Sequence, residues 1–138
     1  MATNLFSGDF EIVSFGYLHG TAPEADATYD VRRYLRDPAA VRAAGLLDSD
    51  GRDPVVQQVV LDTPGASETI AAALKFAFGF PQARRCVIAF GCAGGRHRSA
   101  ALAEVMADDL RHLGFTVTVR HQHIHLPRVV CPADDTNS

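Results

Sequence analysis

The chain predicts an α/β domain: a mainly parallel sheet flanked by helices. Three observations carry this reading. Cys86 to Phe90 (CVIAF) is a short unbroken apolar run, the pattern of a strand buried on both faces of a parallel sheet. It is followed by a Gly-rich loop, Gly91 to Arg98, and then by a segment in which Leu102, Val105, Met106, Leu110 and Leu113 recur on one helical face. Beyond Gly114, Phe115 to Arg120 (FTVTVR) alternates as a strand does. The second half therefore reads as strand, loop, helix, strand, a unit that packs as a right-handed parallel crossover.

The remaining elements follow in chain order. Glu11 to Tyr17 (EIVSFGY) reads as a strand that ends in a Gly-containing loop, Leu18 to Pro23. Ala27 to Val31 reads as a second short strand, followed by Arg32, Arg33 and Arg36 and by Asp37-Pro38, a turn or helix start. The stretch 45–54 (GLLDSDGRDP) is a loop. Pro54 suits the first position of a short helix through Leu61, where its missing N–H has no helical partner to lose. From Ala66 to Phe78, the apolar residues Ile70, Leu74, Ala77 and Phe78 mark a helix that Gly79 and Pro81 end. The two apolar stripes are core faces. The sequence shows no internal repeat and no linker, so one domain is expected over residues 1–128 with a flexible tail over 129–138.

Size and charge bound the function. A chain of 138 residues with 47% apolar content supports one well-buried core. Lys+Arg 13 against Asp+Glu 16 leaves a net charge of -3, which is not the footprint of a generally basic nucleic-acid coat. Lys75 is the only lysine among those 13 cations, the others being arginines, the side chains suited to a two-pronged grip on phosphate or carboxylate. The three cysteines Cys86, Cys92 and Cys131 form no C-x-x-C pair, which argues against a disulfide scaffold and for a reducing compartment. No signal peptide is legible in Met1 to Phe10, and the apolar stretch around Ala71 to Phe80 is too short to cross a bilayer. A cytoplasmic location is expected.

Gly91-Cys92-Ala93-Gly94-Gly95-Arg96-His97-Arg98-Ser99 is the most informative stretch. Lying between a buried strand and a helix, it brings free N–H groups and the positive end of the helix dipole to one point. Glycines there let consecutive N–H groups curl around an oxyanion. Arg98, Arg96, His97 and Ser99 add donors. A phosphate-sized ligand fits this set, against the plainer reading of a tight turn with solvated arginines. The pattern Cys92-x5-Arg98-Ser99 also matches the loop of cysteine-dependent phosphatases, with Cys92 as thiolate, Arg98 gripping the phosphoryl oxygens and Ser99 stabilising the sulfur. That match departs at Gly91, where those enzymes usually carry His, and offers only Asp62 as a weak general acid. Cys86, inside the apolar run, reads as core.

Four blocks in order then resemble a known family: Ser14 to Gly20 (SFGYLHG), Ala25-Asp26 with Tyr29 to Arg32, Ile88 to Ser99 with Ala103-Glu104, and Val119 to His121. They are similar to the C-terminal domain of the RapZ family of bacterial RNase adapter proteins. The resemblance implies a fold like a phosphofructokinase subdomain. It also implies binding of a phosphorylated amino sugar such as glucosamine-6-phosphate and, in some members, of a small regulatory RNA presented to a nuclease. The positions it matches for anion binding are His19, Arg32, Cys92, Gly94, His97 and Arg98, and His121 is placed within reach. A kinase-like P-loop domain normally precedes this one in the family. No G-x-x-x-x-G-K-[ST] occurs here, so the expectation is a free-standing module, with a separate kinase-like chain as one conceivable partner and a homo-oligomer compatible with the sequence.

Two departures count against the RNA role. The chain finishes neutral to acidic (LPRVVCPADD) where RNA-binding members are basic, and residues 33–80 leave the family pattern. His121, His123 and His125 alternate, with Cys131 nearby, but spacing alone does not establish convergence on a zinc ion, and an exposed edge strand is preferred. His19 and Arg32 have plainer readings as a solvated loop residue and as a partner of Asp30. The expectation is a non-catalytic sensor with no cofactor and no metal. It binds a small phosphorylated metabolite through His19, Arg32, Cys92, Ala93, Gly94, Gly95, Arg96, His97, Arg98, Ser99 and His121; a cysteine phosphatase and an RNA adapter are the alternatives.

Overall fold

The order of elements is set by where apolar runs and caps fall, and the computed structural model describes it over residues 10–34, 41, 44–81 and 84–127. They are β1 (Phe10–Gly16), β2 (Ala27–Asp30), α1 (Val31–Tyr34), α2 (Pro54–Leu61), α3 (Ala66–Gly79), β3 (Cys86–Cys92), α4 (Arg98–His112) and β4 (Val117–His121). The strands form one all-parallel sheet in the order β2-β3-β1-β4, so the domain is α/β as the sequence predicts. β1 and β3 occupy the middle and are buried along almost their whole length, which is what the runs EIVSF and CVIAF require. β4 lies at an edge and alternates buried and exposed residues.

The even-numbered side chains of β1 and β3 (Phe10, Ile12, Ile88, Phe90) join the buried faces of α2, α3 and α4 in the main core. Val13, Phe15 and Ala89 form a smaller cluster, against which Tyr17, Ala25 and Val87 pack. Local chemistry explains the ends of the helices. Asp53 caps α2 by accepting the Val55 N–H at 2.9 Å, and Pro54 takes the first helical position. α4 closes with Gly114 N–H on Arg111 O and Phe115 N–H on Leu110 O.

Several expectations need correction. β2 stops at Asp30 and not at Val31, because the Asp30 carboxylate accepts the Arg32 N–H at 3.1 Å and turns the chain into α1. β3 runs two residues beyond Phe90, since Gly91 and Cys92 still pair with Phe15 and Gly16. Phe78 and Leu113 are 54% and 59% exposed; the buried stripe of α3 is Ala66, Ile70, Ala73 and Ala77, and Leu113 sits beyond the last turn of α4. β4 ends at His121, so His123 and His125 do not continue an alternating strand; Leu126 N–H folds back onto His123 O. The expected turn at Asp37-Pro38, Arg36 and the tail with Cys131 lie outside the described residues. No helix among the described residues is long and apolar enough to cross a membrane.

Candidate functional site

In an all-parallel sheet the carboxyl ends of the strands share one edge, the usual place for ligands in open α/β sheets. Here that edge carries Gly16, Asp30, Cys92 and His121 and the loops that leave them. The loop from Cys92 to the head of α4 is built inward. Cys92 Sγ accepts the Gly95 N–H at 3.1 Å and lies 3.1 Å from Ser99 Oγ, whose hydroxyl donates to Phe15 O at 3.2 Å. Cys92 and Ser99 are fully buried. The chain leaving β1 then runs along the loop, Tyr17 N–H donating to Cys92 O and Leu18 N–H to Ala93 O, both at 2.9 Å. Gly16 and Gly95 meet backbone to backbone: a Cβ on Gly16 would stand 2.4 Å from Gly94 C, and one on Gly95 2.7 Å from Gly16 N, with Gly95 at φ +76.

A second segment braces the loop from the other side. Arg96 donates through Nη2 to Asp48 O at 2.8 Å and through Nε to Ser49 O at 3.1 Å, and His97 Nε2 donates to Leu47 O at 3.1 Å. Gly51 N–H returns a bond to Arg96 O at 2.8 Å. These side chains fasten the 47–51 backbone, so Arg96 and His97 act on the loop as its frame. Arg98, 6% exposed, is the first residue of α4.

The rim is made by other elements. Arg32 is held by Asp30 in a two-pronged pair, Nε to Oδ1 at 2.9 Å and Nη2 to Oδ2 at 2.8 Å, with its guanidinium carbon 3.8 Å from the centre of the Tyr17 ring. The Asp30 carboxylate raises the Arg32 pKa above its ordinary value, with Tyr17 and Cys92 adding smaller electrostatic contributions. His19 faces His123 at a ring separation of 5.3 Å. Burial, and then the neighbouring His19 and His125, push the His123 pKa down. His121 lies beneath α4: Nε2 donates to Glu104 Oε2 and Nδ1 is hydrogen-bonded with the Ser14 hydroxyl, each at 2.6 Å. Both of its ring nitrogens are thereby used inside the fold.

With this geometry in view, a family model described as the RapZ C-terminal domain matches residues 9–125. The chain belongs to that family. Relatives called nucleotide-binding proteins include one from Desulfovibrio desulfuricans, 37% identical over 121 residues that cover 83% of this chain and 38% of the relative. Another, from Bifidobacterium longum, is 41% identical over 120 residues (81% of this chain, 36% of the relative), and one from Pediococcus pentosaceus is 36% identical over 121 residues (83% and 40%). The chain thus spans less than half the length of these curated relatives.

In this RapZ C-terminal domain the four blocks that carry the resemblance come together. Ser14, Glu104 and His121 form one hydrogen-bond chain, Asp30 pairs with Arg32 opposite Gly91, and Asp26 accepts the Val87 N–H at 2.8 Å while holding Arg84 at 2.7 Å. The residues predicted to bind the anion gather at the carboxyl edge, but they divide there. Cys92, Ser99, Arg96, His97 and His121 are bonded into the frame; Arg32 and His19 stand at the rim. Reasoning from sequence anticipated the Asp30–Arg32 pair but missed the 47–51 brace and His123 as parts of this edge. Asp62, the weak candidate acid, caps α2 and accepts from Gln58 Nε2 at 2.9 Å. Among the described residues no group of three or more His, Cys, Asp or Glu is placed to hold a metal. Cys86 is core, its thiol pushed up to about 12 by burial.

Proposed function

We propose that this RapZ C-terminal domain is a non-catalytic sensor that binds a small phosphorylated ligand, a phosphorylated amino sugar in particular, at the carboxyl edge of its sheet. The observation that carries the reading is that arginines from two different elements border one glycine loop. Arg32 is fixed by Asp30 opposite Gly91, and Arg98 stands at the head of the 15-residue helix α4. Arginines beside a glycine loop at a helix N-terminus are the recognised chemistry of phosphate binding. The relatives' description as nucleotide-binding proteins fits the same chemistry, since a nucleotide presents phosphate too.

The state of Cys92 favours binding over catalysis. A phosphatase nucleophile must present a thiolate to phosphorus, whereas this sulfur is fully buried behind the loop. Thermal unfolding with glucosamine-6-phosphate, unphosphorylated glucosamine, ATP and inorganic phosphate tests the proposal. A ligand at about one hundred times its Kd stabilises the fold by about 2.7 kcal/mol, a shift of several degrees for a domain of this size. The phosphosugar is expected to raise Tm and glucosamine to leave it unchanged. If no phosphorylated compound moves Tm, the reading is wrong. A salt-sensitive shift with RNA alone would replace it with the adapter role.

A further inference from the structure

His123 is 8% exposed, and its ring meets the frame of the glycine loop from the β4 side. Nδ1 accepts the Gly16 N–H at 2.9 Å. A ring nitrogen that accepts a hydrogen bond carries no proton, so the neutral ring keeps its proton on Nε2. Gly16 is in turn pressed against Gly94 and Gly95, and the Gly95 N–H is bonded to Cys92 Sγ. A continuous path of contacts therefore joins the His123 ring to the centre of the loop. The titratable groups that act on His123 are His19, on the connection leaving β1, and His125, in the same turn; all three are bases. The neighbouring His121 is engaged with Ser14 and Glu104 beneath α4, and Gln122 N–H closes the end of β4 on Ser14 O at 2.9 Å.

We propose that His123 is a positioning residue for the glycine loop, and that protonation of its Nδ1 releases Gly16 and lowers the affinity of the loop for its phosphorylated ligand in acid. The part concerning affinity rests on the function proposed above; the part concerning Gly16 does not. The physical cause is simple. A proton on Nδ1 turns the acceptor into a donor facing the Gly16 N–H, and two donors face to face repel. Gly16 must then shift, and it has no free space against Gly94 and Gly95 in which to do so without moving the loop.

The first measurement needs no ligand. In a titration of the ¹⁵N-labelled full chain between about pH 8 and pH 5, the Gly16 and Gly95 amide signals are expected to move with one midpoint, that of the His123 ring and below the ordinary imidazole value. A His123→Asn variant places an amide oxygen near the position of Nδ1, where it accepts the Gly16 N–H at any pH. That variant should keep the neutral-pH loop signals and lose the Gly16 titration. A Gly16 amide that stays still while the His123 ring titrates overturns the proposal, as does one that still titrates in the variant; the wild-type result decides should the variant not fold. Binding of glucosamine-6-phosphate is then compared in the two proteins, so that protonation of the phosphate itself cancels. The expected result is an additional loss of about tenfold in the wild type on going to acid; parallel profiles overturn the switch. Absence of binding in both proteins at every pH would refute the proposed function and the affinity switch together, leaving the Gly16 titration to decide the positioning role.

Discussion

Asp30-Val31-Arg32 and Asp50-Gly51-Arg52 make the same local structure in two places. In each, the aspartate Oδ1 accepts both the N–H and the Nε–H of the arginine two residues later, while Nη2 donates to Oδ2 at 2.8 Å. Their surroundings differ. Val31 is fully buried and starts α1, and Arg32 lies over Tyr17 and within electrostatic reach of Cys92. Gly51 is jammed against α4, where a Cβ would stand 2.2 Å from Ala101 N, and Arg52 lies within reach of Glu104. A short self-paired motif supplies a preorganised arginine, and the fold decides its use. One copy borders the candidate binding edge, and the other anchors the brace behind it.

The comparison can be broken most forcefully at the central residues. Gly51→Ala forces a methyl into the backbone of α4 and is expected to destabilise the fold by about 3 kcal/mol, the upper end of ordinary overpacking costs, as read by urea unfolding. Next come the arginines. Arg32→Ala should weaken binding of the phosphorylated ligand by about 1.5–3 kcal/mol, the value of a charge-assisted bond, while Arg52→Ala leaves binding unchanged; equal losses in calorimetric titrations would erase the functional distinction between the two motifs. The smallest effect concerns acid. The Arg52 guanidinium beside Asp50 holds its carboxyl below the ordinary 3.8, so the stabilisation is complete above that value and is lost as pH falls through the lower, folded-state pKa. Arg52 is largely exposed, so Arg52→Ala should remove less than about 1 kcal/mol of this acid-sensitive stability, measured as the difference between urea midpoints at neutral and acid pH.

Features settled by neighbours in sequence were the legible ones. The start of α2 follows from Asp53 capping and Pro54 at the first turn, and CVIAF is legible as an inner strand because burial on both faces leaves no room for polar residues. What the sequence hid depends on partners far along the chain. Arg96 and His97 bond to the carbonyls of Leu47, Asp48 and Ser49, and no spacing rule reports such a bond. His123 looked like one tooth of an alternating strand, because nothing local shows that β4 ends where Gln122 bonds back to Ser14. Phe78 fitted a helical stripe by period and was excluded only by how α3 rolls against the sheet.

The central position of β1 also constrains how the chain reaches this structure. Phe10 pairs on one side with Cys86 and on the other with Val117, so β1 has strand partners only in the later half of the chain. During synthesis β1 emerges before both of its strand partners, β3 and β4. The sheet closes around β1 last, through contacts of long sequence separation that make folding slow relative to a helical domain of this size. The edge that carries the candidate ligand site is therefore complete only once β4 has paired with β1 and the turn holding His123 has reached Gly16.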